Sequence, residues 1–272
     1  MSYETVTFEI EKGMGVLTLN RPKVLNAINQ KMVHEIMAVQ ARAASDDAIN
    51  VLLLAGAGRA FSAGFDLNEA DEGETRRGLL EWKALLREDF DMIMGFWRNP
   101  KPTVAAVHGY CLAGACEMAL GCDMTIASED ARFGEPEVRF GAGVLAMLMP
   151  WLTGPKQAKE LLLTGNDRVT AAHAHRIGLV NRVVPEGEAF EAGLALAREI
   201  AMLDPHAIRM TKEAINRTYE NMGMTEALET AVDIDTILTS LGSPDRLEFR
   251  EISKRDGLKA AIAWREARFK DG

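Results

Sequence analysis

The sequence predicts an α/β fold, a strand-containing core followed by a helical tail, and three observations carry that expectation. Val51 to Ala55, Thr103 to Val107, Met124 to Ala127 and Arg182 to Val184 are short β-branched or aliphatic runs, the pattern of strands covered on both faces. Helical periodicity fills the stretches between them, as in chains that alternate strand and helix. Beyond about Pro205 the texture changes: Ile208 to Tyr219, Thr225 to Leu241, Pro244 to Glu251 and Asp256 to Phe269 all carry helical signals and no strand signal.

At the N-terminal end, Thr5 to Ile10 and Gly15 to Asn20 flank Glu-Lys-Gly-Met-Gly and read as a hairpin. Asn29 reads as the cap of a helix with Met32, Val33, Ile36 and Met37 on one face. The dense charge and Glu-Gly steps of Asp66 to Arg87 predict a segment that is mobile before it becomes helical. A weak internal repeat is visible: two strands each lead to an Ala-Gly pair, Ala63-Gly64 and Ala113-Gly114, followed by an acid, Asp66 and Glu117.

With 272 residues, 47% of them apolar, the chain can build a large core. Forty acidic against 31 basic residues leave a net charge of −9, which argues against a basic nucleic-acid footprint. An anionic small substrate would need local cations or helix N-termini. Cys111, Cys116 and Cys122 lack CxxC spacing and are odd in number, so reduced thiols in a cytoplasmic protein are expected. No metal site is expected, because His108 is the only nearby imidazole. The N-terminus lacks a signal-peptide pattern, and the longest uncharged stretch, Gly141 to Pro155, is too short to cross a bilayer.

The chemistry concentrates in three glycine-punctuated segments. Val107 to Leu120 places Glu117 behind a bend at a helix start, Glu137 follows the turn Phe-Gly-Glu-Pro-Glu, and Phe61 to Leu67 repeats the punctuation. Glycine lets backbone approach a ligand, and free N–H groups at a helix start hold negative charge. Such starts with two carboxylates nearby can bind a thioester or enolate oxygen and move protons beside it. Apolar neighbours should desolvate Glu117 and raise its pKa; the alternative is a first-turn glutamate that complements the helix dipole. Pro136 stiffens the presentation of Glu137, whereas Glu135 reads as part of a solvated acidic turn. Gly141 to Ala146 matches G-x-G-x-x-A without the βαβ context of a dinucleotide site, and reads as a tight loop above an apolar helix. Ser62 in Ala-Phe-Ser-Ala-Gly is too far from a strand end for a nucleophile elbow and reads as a helix cap. His34, His173, His175 and His206 read as structural or solvated, and His108 as a strand-end residue packing near the site.

The motifs RPKVLNAI, FSAGFDL, VHGYCLAGACEMALGCD, FGEPEVRFG, LLLTG and AAHAHRIGLVNRVVP occur in one order and at one spacing. On that ordered set the chain resembles the crotonase superfamily, also called the enoyl-CoA hydratase/isomerase family, over essentially its whole length. The resemblance implies a spiral of ββα repeats over residues 1–200 holding the active site. It also implies a helical region over 201–272 serving trimerisation and closure of the CoA site, in a homotrimer or homohexamer. It implies that the N–H groups of Phe65 and Gly114 form an oxyanion hole, with Lys23, Val24, Leu25, Ala63, Asp66 and Leu67 lining the CoA site. Glu117 and Glu137 match the two catalytic glutamates of the hydratases, Glu117 mainly activating water and Glu137 mainly delivering the proton. The implied activity is that of an enoyl-CoA hydratase, a hydro-lyase of fatty acid metabolism. CoA arrives as part of the substrate, with no separate cofactor and no nucleic-acid or membrane partner. The same fold leaves open an isomerase, a thioester or ring hydrolase, or a CoA-binding protein without turnover. Two departures stand out. RFGAGVLAMLMPWLTG replaces the usual glycine-rich loop with its Thr-Gln-Arg-Leu run. Glu266 stands where a phosphate-binding lysine is common, leaving Arg265, Arg268 or Lys270 to substitute.

Overall fold

Lys12 and Gly13 both adopt left-handed backbone, φ 51° and 81°, and so close the two-residue turn between strands β1 (Val6–Glu11) and β2 (Met14–Leu19). This hairpin begins the fold in a computed structural model that describes residues 3–67 and 77–269. Asn29 caps helix α1 (Gln30–Ser45), its side chain accepting from Met32 N at 3.0 Å. Strands β3 (Val51–Gly56), β4 (Thr103–Val107), β6 (Met124–Ser128) and β9 (Arg182–Val184) then add in parallel beside β2. The six-stranded order is β1-β2-β3-β4-β6-β9, with only β1 antiparallel.

Alternate residues of these strands feed two separate apolar layers, which explains their unbroken hydrophobicity. Leu52, Leu54, Ala105 and Val107 face α1 and α2 (Leu79–Trp97), packing with Val33, Ile36, Phe90 and Ile93. Val51, Leu53, Val104 and Ile126 face the opposite way, against Leu196, Ala197 and Ile200 of a helix at Ala189–Ala201.

A second, three-stranded sheet was not anticipated: β5 (Tyr110–Leu112), β7 (Arg132–Gly134) and β8 (Val169–Thr170). Single bridges continue its ladder through Ser62 to Cys111 and Phe65 to Ile28, so successive turns of the chain stack on one another. The repeats β1-β2-α1 and β4-β5-α3, with α3 at Gly114–Gly121, are the ββα units of that spiral. Three short helices, α4 (Met149–Thr153), α5 (Pro155–Thr164) and α6 (Ala171–Arg176), lead to β9, and α7 is the helix Ala189–Ala201.

From Pro205 onward the described residues form helices and no strand: α8 (Pro205–Asn221), α9 (Met224–Leu241), α10 (Pro244–Asp256) and α11 (Leu258–Ala267). Helix α9 places Met224, Leu228 and Val232 in the main core, whereas α10 and α11 share a small cluster of Phe249, Ile252 and Ala261. The expected mobile stretch after Asp66 falls mainly on residues 68–76, outside the described residues, and helix begins at Leu79. Among the described residues no helix is long and apolar enough to cross a membrane.

Candidate active site

Two main-chain amides are the first component. Ile28 donates to Gly64 O at 2.9 Å and accepts from Asp66 N at 2.8 Å, so the intervening Phe65 N–H points to the other side of the bridge. Gly114 N is the first amide of α3 and has no partner within the helix. Neither amide donates to an acceptor among the described residues.

The two segments are pressed together by their small residues. A Cβ on Gly114 would lie 2.3 Å from Phe65 Cε2, and one on Gly64, at φ +89°, would lie 2.6 Å from Ala113 Cβ. The Ala-Gly repeat seen in the sequence is therefore a contact, each pair making room for the other. Ala113 itself sits at φ 56°, ψ −137°, a conformation disfavoured for any residue with a Cβ. Its amide is fixed by Gly134 O at 2.8 Å, and Ser62 is bonded on both sides to β5 (to Tyr110 O at 2.9 Å, from Leu112 N at 3.2 Å). Buried Asn26 adds a lock that the sequence did not reveal as such: its Nδ2 reaches the carbonyls of Ala57, Ala60 and Phe61 at 2.8, 2.9 and 3.1 Å. Asn26 adopts φ 53°, directly after Leu25 at φ 54°, a left-handed backbone that asparagine tolerates, so its residue type is the one local hint of this bend.

Two glutamates are the second component. Strands β5 and β7 run parallel with Leu112 opposite Gly134. The chain leaves β5 into α3, carrying Glu117, and leaves β7 through Pro136 into a 3₁₀ turn, Glu137–Phe140, opened by Glu137. Both carboxylates thus emerge at the same end of the same sheet. Glu117 is 1% exposed, and its Oε1 accepts from Ala146 N at 2.7 Å. Burial pushes its pKa up to about 8 against the pull of that amide, with Asp235 and Asp89 adding further upward pressure. Glu137 is also buried, and its Oε2 has no hydrogen-bond partner among the described residues. Desolvation first, and the neighbouring Glu117 second, raise it well above the usual carboxylate range.

Three further acids crowd this centre. Glu135 is not the solvated turn residue expected from its sequence context. It is 1% exposed, it is hydrogen-bonded with the buried Cys116 thiol, and burial holds its pKa well above the ordinary value. The turn that carries it is covered by the neighbouring strand and helix, which no local pattern discloses. Asp89 of α2, bonded by Gln30 Nε2 at 3.1 Å, is pushed up to about 7 by burial. Asp235 of α9 is buried and its pKa is raised by desolvation. Its sequence context, Val-Asp-Ile-Asp, gave no sign of it.

Ser62 is not a helix cap. Its Oγ donates to Asn26 O at 2.8 Å and accepts from Gly64 N at 3.1 Å, bracing the bend before Phe65. Gly141 to Ala146 forms the loop expected above the apolar helix α4. His108 follows β4 and bonds Gly58 O at 2.9 Å.

The residues expected along the CoA site divide into two kinds. Lys23 and Val24 lie exposed on a 3₁₀ turn and line a cleft of about 370 Å³ with Asn20, Arg21 and Pro22; Leu25 ends that turn and accepts from Ala63 N at 3.0 Å. Asp66 turns inward, pairing with Arg21 Nη1 at 2.9 Å and fastening the two loops together. Leu67 packs against the Phe249–Ile252–Ala261 cluster. Near the C-terminus, Arg265 is held between Glu266 at 2.6 Å and Asp167 at 3.4 Å, and Arg268 pairs with Asp245 at 2.9 Å. Lys270 lies outside the described residues.

Comparison with known proteins identifies the family. Residues 9–247 match the family model described as Enoyl-CoA hydratase/isomerase. The chain is 34% identical to a crotonyl-CoA hydratase of Syntrophomonas wolfei, covering 99% of each chain. It is 35% identical to a short-chain-enoyl-CoA hydratase of Clostridium acetobutylicum, over 87% of this chain and 88% of that one. The crystal structure of an enoyl-CoA hydratase/isomerase from Xanthobacter autotrophicus Py2 superposes with a TM-score of 0.96 at 51% identity, covering 98% and 99% of the two chains.

Proposed function

We propose that this chain, which belongs to the enoyl-CoA hydratase/isomerase family, is an enoyl-CoA hydratase that adds water across the α,β double bond of an acyl-CoA thioester. The observation that carries the reading is the convergence of two unpaired amides and two buried glutamates at one end of β5 and β7. The N–H groups of Phe65 and Gly114 donate to the thioester carbonyl oxygen, and Glu117 takes a proton from water as the water oxygen bonds to Cβ. The π electrons move toward the thioester oxygen, and Glu137 delivers its proton to Cα. Each amide contributes a few kcal/mol to the enolate-like transition state, on the order of 10²–10³ in rate.

The division of labour follows from hydrogen bonding. The Ala146 amide pulls Glu117 toward its charged form against its burial, the form a base requires. Glu137 has its own backbone N–H as a donor, but its Oε2 has no partner among the described residues, and burial beside Glu117 favours its protonated form, as an acid requires. Lys23 and Val24 line the CoA side, with Leu25 and Ala63 hydrogen-bonded to each other beside them, Asp66 holding their loop and Leu67 packing against the C-terminal cluster.

A homotrimer or homohexamer belongs to the same reading. Exposed apolar side chains on α8 and α9, among them Met210, Ile215, Ile234, Ile237 and Leu241, support it, and light scattering tests it. A cytoplasmic location is supported by three buried free thiols. The activity is tested with enoyl-CoA thioesters from crotonyl-CoA to bulky cyclic acyl groups. Glu137→Gln should lower kcat by about 10²–10⁴ while KM changes little. A normal hydration rate in that variant would remove Glu137 from the mechanism, and turnover without solvent ¹⁸O in the product would point to isomerisation.

A further inference from the structure

Helix α9 buries one stripe, Met224, Leu228, Val232, Asp235, Thr236 and Thr239, and Asp235 is the single ionisable residue in it. A carboxylate buried there costs free energy unless it is used. Its contacts run to the loop between the Glu137 turn and α4. A Cβ at Gly143 would lie 2.3 Å from Asp235 Oδ1, so only glycine allows this approach, and the Gly143 amide lowers the pKa of the carboxyl it faces. The same loop is tied at its start by Ser243 Oγ, which donates to Gly141 O at 3.1 Å. At its far end the amides of Leu145 and Ala146 hold the Glu117 carboxylate.

We infer that Asp235 is a positioning residue for the two-glutamate centre: it clamps the Gly141–Ala146 loop from the C-terminal helices, and that loop in turn aims Glu117. The inference rests on the hydratase reading. Asp235 also lends its negative charge to the centre, raising both Glu117 and Glu137. The other charged groups facing this cluster are Arg246 from α10, Arg265 from α11, Asp89 from α2 and Glu135 beside β7. Thr239 Oγ1 completes the contacts of Asp235 at 3.3 Å.

The test uses Asp235→Ala and Asp235→Asn in the full chain, with kcat, KM and the pH profile of crotonyl-CoA hydration. A parallel infrared titration follows the Glu117 carboxyl band, assigned by its loss in Glu117→Gln. Asp235→Ala should lose about 10–100-fold in kcat with KM nearly unchanged. Asp235→Asn keeps an acceptor for Gly143 and should recover most of kcat. Its pH profile and the Glu117 band should both move to lower pH, because a negative neighbour has gone. If Asp235→Ala fails to fold, the profile and band shift of Asp235→Asn decide. Wild-type kcat, profile and band position in folded variants would overturn the inference. A wild-type protein that hydrates no enoyl-CoA, yet shows the band shift in Asp235→Asn, would overturn the hydratase reading and leave the clamp standing.

Discussion

Glu117→Gln should make the folded protein more stable, by a margin that grows with pH, while removing hydration. The sign follows from the two states of the carboxyl. Unfolded it titrates at 4.5; folded and buried it titrates at about 8. Between those values the unfolded chain has released a proton that the native chain retains. Native protein therefore binds more protons, and wild-type stability falls as pH rises across the window. At about 1.36 kcal/mol per pH unit, the interval from pH 5 to pH 8 corresponds to about 4 kcal/mol as a ceiling. Glu135 and Glu137 share the same desolvated space and take up part of the proton demand, so about 2 kcal/mol is the working expectation. Glutamine retains an oxygen for Ala146 N–H and carries no titration of its own. Urea unfolding followed by tryptophan fluorescence, at fixed protein concentration and at intervals from pH 5 to 8, measures the difference between variant and wild type. A difference that stays flat or shrinks with pH would refute the account of Glu117 as a carboxyl whose pKa is raised by burial. Crotonyl-CoA hydration by the same preparations should be reduced about 10²–10⁴-fold, the usual exchange of stability for function at a strained site.

Gly114→Ala should cost at least about 10² in kcat, because the added methyl would sit 2.3 Å from the Phe65 ring and push the two amides apart. Steady-state kinetics alongside circular dichroism would show it, and a folded, fully active variant would contradict the proposed oxyanion hole. Lys212→Met tests the fastening of α8 to the core. Lys212 Nζ reaches Asp123 at 2.7 Å and Lys101 O at 3.1 Å, and it is buried. Removing it leaves the Asp123 carboxylate without this cation, held by Thr103 N and Oγ1, and should destabilise by about 3 kcal/mol. Adding Asp123→Asn should recover part of that loss in denaturant melts, and strictly additive losses would mean the pair does not act as one unit.

The hairpin, the strands β3, β4, β6 and β9, the Asn29 cap and the four C-terminal helices were legible in the chain itself, because each is announced by local periodicity or a capping residue. Glu117, Glu137 and the Ala-Gly repeat stood out because glycine and proline mark bends wherever they stand, whereas the Phe65 and Gly114 amides were implied by the family resemblance alone. What remained hidden depends on distant segments. Strands β5, β7 and β8 span two or three residues each and exist through their ladder partners, with no periodicity of their own to betray them. Glu135 was misread because the solvation of a turn depends on what lies above it, here Cys116 and its helix. Ser62 was misread because its partner, Asn26 O, lies 36 residues away along the chain. Asp235 sits in an ordinary amphipathic helix and acquires meaning when α9 packs against the loop holding Glu117. Which residues can bend, cap or pair is written in their covalent chemistry, as is the apolar setting of Glu117; that Glu135 and Asp235 also lose their water is decided by long-range packing.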